Sequence, residues 1–212
     1  MKRDGLVLLF LSVLAILGVA LAVEVVVVTR AWLIHRTGNT AAEIAWLQAA
    51  RPFVPWDASV PAQIGRLRRE AVRNELANGR LVPALQAFRA ARAASGMRAM
   101  ASDRELMALG IEAFARAADH MEQQGRLANA ADWNDSLFVH AVRAIEPHHR
   151  AAAVAAFMEG LDLRVRAGTP CAALARVTWA KQGLSGVIPG APANLERDLT
   201  TQCSESRRAR RR

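Results

Sequence analysis

The sequence predicts an all-α protein in which one N-terminal transmembrane helix is followed by an α-solenoid of antiparallel helix hairpins. Three observations carry this. Leu6 to Val28 is an apolar run of 23 residues broken by a single charge, Glu24. After Arg36, apolar residues recur at helical spacing almost throughout, and no long Val/Ile/Thr alternation marks a strand. Glycines at 79, 125 and 168 interrupt three successive helix pairs, 46 and then 43 residues apart.

At about 1.5 Å per residue the apolar run rises roughly 34 Å, enough to cross a hydrocarbon core of about 30 Å with some tilt. Glu24 then lies near one interface, where its carboxylate reaches water or meets a basic group of a partner inside the membrane. Trp32, just beyond the run, suits an interfacial belt. A cleaved signal peptide is the competing reading, with Lys2 and Arg3 before the apolar stretch and Ala20-Leu21-Ala22 as a small-x-small site. Against cleavage, the run continues through Val28, so a chain starting at Val23 would carry a useless apolar tip. Lys2 and Arg3 on one side balance Arg30 and Arg36 on the other. The α-amino group and short tail tip the expected orientation toward N-terminus inside, with the helical domain outside the cytoplasm.

The remaining helices follow from spacing and stop signals. Gln63 to Asn78 carries Ile64, Leu67, Ala71, Val72 and Leu76 on one stripe and ends at Gly79. Leu81 to Ser95 carries Leu81, Ala84, Leu85, Phe88 and Ala91, with Gly96 expected to close it. Ser102-Asp103-Arg104-Glu105 reads as a capping box for a helix bearing Leu106, Leu109, Ala113, Phe114, Ala117 and Met121 up to Gly125. A further helix passes through Trp133, Leu137 and Val139 toward Pro147. Another carries Val154, Phe157, Met158, Leu161 and Val165 to Gly168. Thr169 then caps a helix with Pro170 in its first turn, where the missing N–H is harmless. Asn194 to Gln202 reads as a short amphipathic helix with Leu195 and Leu199 inward. The expected organisation is a tail over 1–5, a transmembrane helix over 6–28 and a juxtamembrane helical linker over 29–62. The hairpin domain follows over 63–183, then a loop and capping helix over 184–203 and a disordered basic tail over 204–212.

Helices joined by two or three residues lie antiparallel, and a loose repeat of such pairs is the mark of a solenoid. Ala84, Phe88 and Ala91 sit at intervals of four and three. Ala118 with Ala130, and Gly160 with Ala172, pair small residues twelve apart, and Pro55-Trp56-Asp57 precedes Ile64-Gly65. In these features residues 40–183 resemble degenerate tetratricopeptide repeats. The departures are a period of 43 to 46 residues instead of 34, Asn134 in an aromatic position, and no single frame for all three hairpins. The resemblance implies a concave surface that binds a peptide or another subunit, with no chemistry of its own.

Residues able to carry chemistry form no recognisable pattern. His140, His148 or His149 with Asp135 or Glu146 could assemble a metal site, but no pair has the His-Glu-x-x-His spacing, and His148-His149 reads as a solvated pair at a helix junction. There is no nucleophile elbow and no phosphate loop with a Lys. Cys171 sits in a first helical turn, where the dipole can lower a thiol pKa. It can equally be a packing residue, or one half of a Cys171–Cys203 disulfide closing a loop of about 30 residues. Neither catalysis, a metal nor a cofactor is therefore expected.

The chain has 212 residues, 52% of them hydrophobic, so it can bury a core. Its net charge is +9, and of 28 basic residues only Lys2 and Lys181 are lysine, a bias that points to a GC-rich genome. Arg207, Arg208, Arg210, Arg211 and Arg212 crowd the last six positions and suit anionic headgroups or an acidic partner surface. Without interleaved aromatics or a recognition helix they argue against nucleic acid. The expected protein is a membrane-anchored scaffold, accessory or assembly subunit of a bacterial inner-membrane complex, single-pass with a periplasmic helical domain. It would bind protein partners, with no small-molecule substrate. The alternatives are an envelope enzyme of unknown chemistry and a nucleic-acid binder acting through the Arg-rich tail.

Overall fold

The computed structural model describes the backbone of residues 2–183 and 194–209, and the side chains of 7–93, 103–182 and 194–209. The described residues are helical, without a strand: α1 (Lys2–Arg36), α2 (Thr40–Ala50), a 3-10 turn (Arg51–Phe53), α3 (Ser59–Ala77), α4 (Leu81–Ser102), α5 (Arg104–Gln123), α6 (Leu127–Ala141), α7 (Pro147–Arg166), α8 (Pro170–Gly183) and α9 (Leu195–Ala209). They form two compact units, Met1–Ala71 and Val72–Arg212, with the division inside α3.

The first unit is built on the end of the apolar helix. Val7 to Val19 are exposed on every face. From Val23 onward burial appears at helical spacing, with Val27 and Ala31 packed against Leu47, Ala50, Val54, Val60, Ile64 and Leu67. Trp46 donates from Nε1 to the Val27 carbonyl at 3.1 Å. Glu43 is buried, and its carboxylate accepts from His35 Nδ1 and Gln63 Nε2, each at 2.9 Å. One satisfied carboxylate thus ties α1, α2 and α3 together. Residues 29–62 are part of a packed unit with its own core. The tip beginning at Val23 is likewise a core element and not the useless end expected of a cleaved chain.

In the second unit α4 packs on α5, α5 on α6, α6 on α7, α7 on α8 and α8 on α9. Its core holds Val72, Phe88, Phe114, Leu137, Phe138, Phe157 and Val177. Phe88, Phe114 and Phe157 are buried as their stripes require, but Val139 is exposed and its neighbour Phe138 takes the inward place. The turns at Gly79, Gly125 and Gly168 share one construction. Each glycine has φ near +70°, a conformation nearly free for glycine and strained for other residues. Beyond each, two backbone bonds close the preceding helix: Arg80 N–H to Glu75 and Gly79 N–H to Leu76, and likewise Arg126 to Met121, Gly125 to Glu122, Thr169 to Arg164 and Gly168 to Val165.

Counted from these glycines, two buried positions recur in all three pairs. The fifth residue after each is a wholly buried alanine, Ala84, Ala130 and Ala173, and the seventh before each is buried Val72, Ala118 and Leu161. Ala173, not the exposed Ala172, holds the small position of the last pair. Gly160 remains a close approach, since a Cβ there would stand 3.3 Å from Asn134 Cβ and 3.4 Å from the Ala131 carbonyl.

Two further boundaries and one capping bond differ from expectation. α4 runs through Gly96 to Ser102, because the good helix formers Met97 to Ala101 continue it. Asp103, not Ser102, is the N-cap of α5, its carboxylate accepting from Leu106 N–H at 3.0 Å. The Thr169 hydroxyl donates back to the Arg164 carbonyl at 2.9 Å.

Candidate functional site

A concavity of about 760 Å³ in the second unit lies between the α3–α4 turn, α5 and α6. Its wall is apolar: Leu76 from α3, Leu81, Val82 and Leu85 from α4, Ala117 from α5 and Trp133 from α6. Val82 is 65% exposed, a large apolar side chain standing in water at the mouth. The local cause is the turn itself. The closure at Gly79 ends α3 and starts α4 within three residues, so Leu81 and Val82 fall in the first turn of α4, where Leu81 is half-buried and Val82 exposed.

The cations of the rim are engaged within the protein. Arg116 Nη1 donates to the Leu76 carbonyl at 2.6 Å, satisfying one of the last carbonyls of α3, and its other nitrogen pairs with Glu112 at 2.6 Å. Arg80 pairs with Glu75 at 2.7 Å. Gln124 bonds the His120 ring at 2.8 Å. An occupant would meet an apolar floor and a rim whose arginines, Arg80 and Arg116, are held in place, an arrangement suited to a protein segment with apolar anchors.

Two buried polar clusters lie deeper. Arg164 of α7 is buried and donates through Nη2 to Asp132 Oδ1 at 2.8 Å and Asp135 Oδ2 at 2.7 Å, both on α6. Arg176 of α8 pairs with the same Asp135 oxygen at 2.8 Å. Burial pushes the Asp135 carboxyl up, while the two guanidiniums pull it back. His140 of α6 lies edge-on to Phe88 and Phe114, with Nε2 3.3 Å from the Met107 carbonyl. That carbonyl can only accept, so Nε2 carries the proton. Nδ1 has no partner among the described residues. Desolvation holds this imidazole at a pKa of about 4 and keeps it neutral.

These contacts decide the sequence-expected residues. Asp135 is committed to Arg164 and Arg176, and His140 to Met107. His148 is exposed, but His149 is buried beside it with ring centroids 4.0 Å apart, so the pair is not uniformly solvated. Burial and the neighbouring His148 lower the His149 pKa, with Glu146 opposing. Among the described residues no three His, Cys, Asp or Glu are grouped to hold a metal ion. Cys171 and Cys203 are bonded to each other, with Cα atoms 4.7 Å apart, and join α8 to α9. Glu24 is half-buried in the first unit. Arg207 and Arg208 are exposed in the last turn of α9, which extends to Ala209 where a disordered tail was expected. Basic side chains there offset the helix dipole. Arg210, Arg211 and Arg212 lie outside the described residues.

Sequence reasoning missed both polar clusters. Arg164 had a signal: it continues the apolar stripe of Phe157 and Leu161 at helical spacing, and a buried Arg calls for a carboxylate. The repeated Gly79-Arg80-Leu81 and Gly125-Arg126-Leu127 would have supplied the common turn frame.

Comparisons with protein-family models, curated proteins and solved structures find no match to this chain.

Proposed function

We propose that this chain is a single-pass, membrane-anchored scaffold or assembly subunit that holds a protein partner in the groove walled by Leu76, Leu81, Val82, Leu85 and Trp133. The observation that carries the reading is this apolar groove in a chain that also has an apolar helix with uncovered faces. Val7–Arg36 is long and apolar enough to cross a membrane. A signal sequence shares those properties. The anchor reading draws support from the apolar run of 23 residues, Leu6 to Val28, longer than the apolar stretch of about 7–15 residues usual in a signal peptide.

We place the helical domain in the periplasm of a bacterium, on the inner membrane. The Cys171–Cys203 bond favours an oxidising compartment. The second unit is read as a solenoid of antiparallel hairpins related to tetratricopeptide repeats. Support comes from the shared glycine frame, the packing of each helix from α4 to α9 on the next, and the contact of α5 with α7 two elements on. No catalytic role is assigned.

The test is mild-detergent co-purification of the tagged full-length chain beside its Val82→Glu and Trp133→Ala variants. A scaffold of this kind loses one defined partner in both variants while its thermal midpoint holds for Val82→Glu. Partners retained equally by all three forms would overturn the groove assignment.

A further inference from the structure

The apolar helix is too long for the membrane it would cross. Val7–Arg36 has 30 residues, a rise of roughly 45 Å against a hydrocarbon core of about 30 Å. The burial pattern shows which part is left over. Val7 to Val19 are exposed, whereas Val27 and Ala31 belong to the core of the first unit. Glu24, the one charge in the apolar run, stands at the change between the two regimes.

α2 runs back down this protruding end. Glu43, near its start, meets His35, and Trp46, one turn later, reaches the Val27 carbonyl. Arg30 lies over the Trp46 ring at 4.4 Å, a second marker of the same descent. Ala50 and Val54, further on, are buried in the cluster against which Val23 packs. The segment between α2 and α3 is thereby returned to the level where the uncovered part of α1 begins. There the chain presents Arg51, Pro52, Phe53, Pro55 and Trp56, all exposed. Phe53 is 66% and Trp56 56% exposed, unusual for two large aromatics three residues apart on so short a turn.

We infer that Arg51 to Trp56 form a second membrane contact, in which Phe53 and Trp56 enter the interfacial layer of the bilayer beside the anchor and Arg51 faces the lipid phosphates. This rests on the anchor reading of α1. The chemistry suits the occupant: aromatic rings favour the boundary between headgroups and acyl chains, and a cation is held there by anionic lipid. The buried Val54 between the two aromatics pins the turn to the first unit, so the rings are displayed by a fixed scaffold. Trp32, expected from the sequence to be the interfacial residue, is eight residues beyond Glu24, roughly 12 Å further along the axis, and stands above this layer.

The experiment places a nitroxide on the full-length chain in vesicles of phosphatidylcholine and phosphatidylglycerol, through Phe53→Cys or Trp56→Cys. Leu14→Cys serves as a reporter of the anchor and Thr37→Cys as a reporter of the distal turn. Collision with oxygen against collision with a water-soluble nickel chelate gives depth. The expected order is 14 in hydrocarbon, 53 and 56 at interfacial depth, and 37 in water. Labels at 53 and 56 as accessible to nickel as the label at 37, with 14 still in hydrocarbon, overturn the second contact and leave the anchor standing. A water-exposed label at 14 overturns the anchor and this contact with it. Phe53 and Trp56 are exposed, so unchanged thermal midpoints are expected for the labelled forms.

Discussion

A methyl group added to Gly110 would stand 2.3 Å from Nε2 of His140. The same Cβ would lie 2.6 and 2.7 Å from two carbons of the Phe88 ring. Glycine at this point of α5 lets α5, α4 and α6 meet around one imidazole. Alanine is the better helix former by about 1 kcal/mol, but overlaps this short force displacement of packed groups at a cost of about 1–3 kcal/mol. Gly110→Ala should therefore lower the thermal midpoint. Gly65→Ala in α3, whose Cβ would meet only the flexible end of Arg69 at 3.5 Å, should leave it unchanged or raise it. Equal effects of the two substitutions would disprove the packing described for Gly110.

The buried His140 makes stability depend on pH. Its pKa is about 4 in the folded chain against an ordinary 6.5. The depressed value means the unfolded chain takes the proton first, so the stabilisation is complete above pH 6.5 and is lost as pH falls toward 4. At roughly 1.4 kcal/mol per unit over that window it is about 3 kcal/mol. Arg92 of α4 and His149 of α7 act in the same direction. His140→Gln should be less stable at pH 7 and should lose part of the slope between pH 6.5 and 4. Parallel denaturation profiles for the two proteins across that window would refute this.

Arg164 is the sole buried cation among the described residues and bridges Asp132 and Asp135. Removing it leaves Asp135 buried with Arg176 alone, a loss of about 3–5 kcal/mol by analogy with broken buried pairs. Arg164→Met should show that loss in urea unfolding. Arg164→Met combined with Asp135→Asn should recover part of it, because the stranded charge is then gone. A double variant weaker than the single would contradict the assignment.

The Cys171–Cys203 bond spans 32 residues and holds α9 against α8. Chain entropy for such a loop corresponds to about 3–4 kcal/mol. Cys203→Ser should lower the unfolding midpoint, and amide exchange should rise first in α9, where Leu199 and Cys203 are the buried positions. Two free thiols in protein purified without reductant from its native membrane would remove the bond.

Much of the helical layout was legible because helices advertise themselves locally. The stripe Leu106, Leu109, Ala113, Phe114 and Ala117 is a three-and-four spacing, and the glycines that end α3, α5 and α7 are needed where φ is positive. The capping residue of α5 was misplaced by one because Ser102 and Asp103 are both good caps, and only the backbone path chooses between them. Val139 and Phe138 were exchanged for a related reason: both are apolar, and the facing helix decides which one is covered. Arg164 and Asp135 are 29 residues apart, and His140 and Met107 are 33 apart. Such pairs depend on where two helices cross, which no local spacing records.

The sequence by itself determined that this chain is helical, that its first helix is apolar enough to span a bilayer, and that turns close at Gly79, Gly125 and Gly168. Those properties follow from side-chain polarity and backbone freedom, both carried by neighbouring residues. Tertiary structure alone decided that the apolar helix is divided near Glu24 into an uncovered part and a core part. It alone ran α2 back along α1, so that Trp46 reaches Val27, and placed His140 against Gly110. In each case the outcome is set by which surface arrives to cover a side chain, and burial is a property of the pair of surfaces in contact.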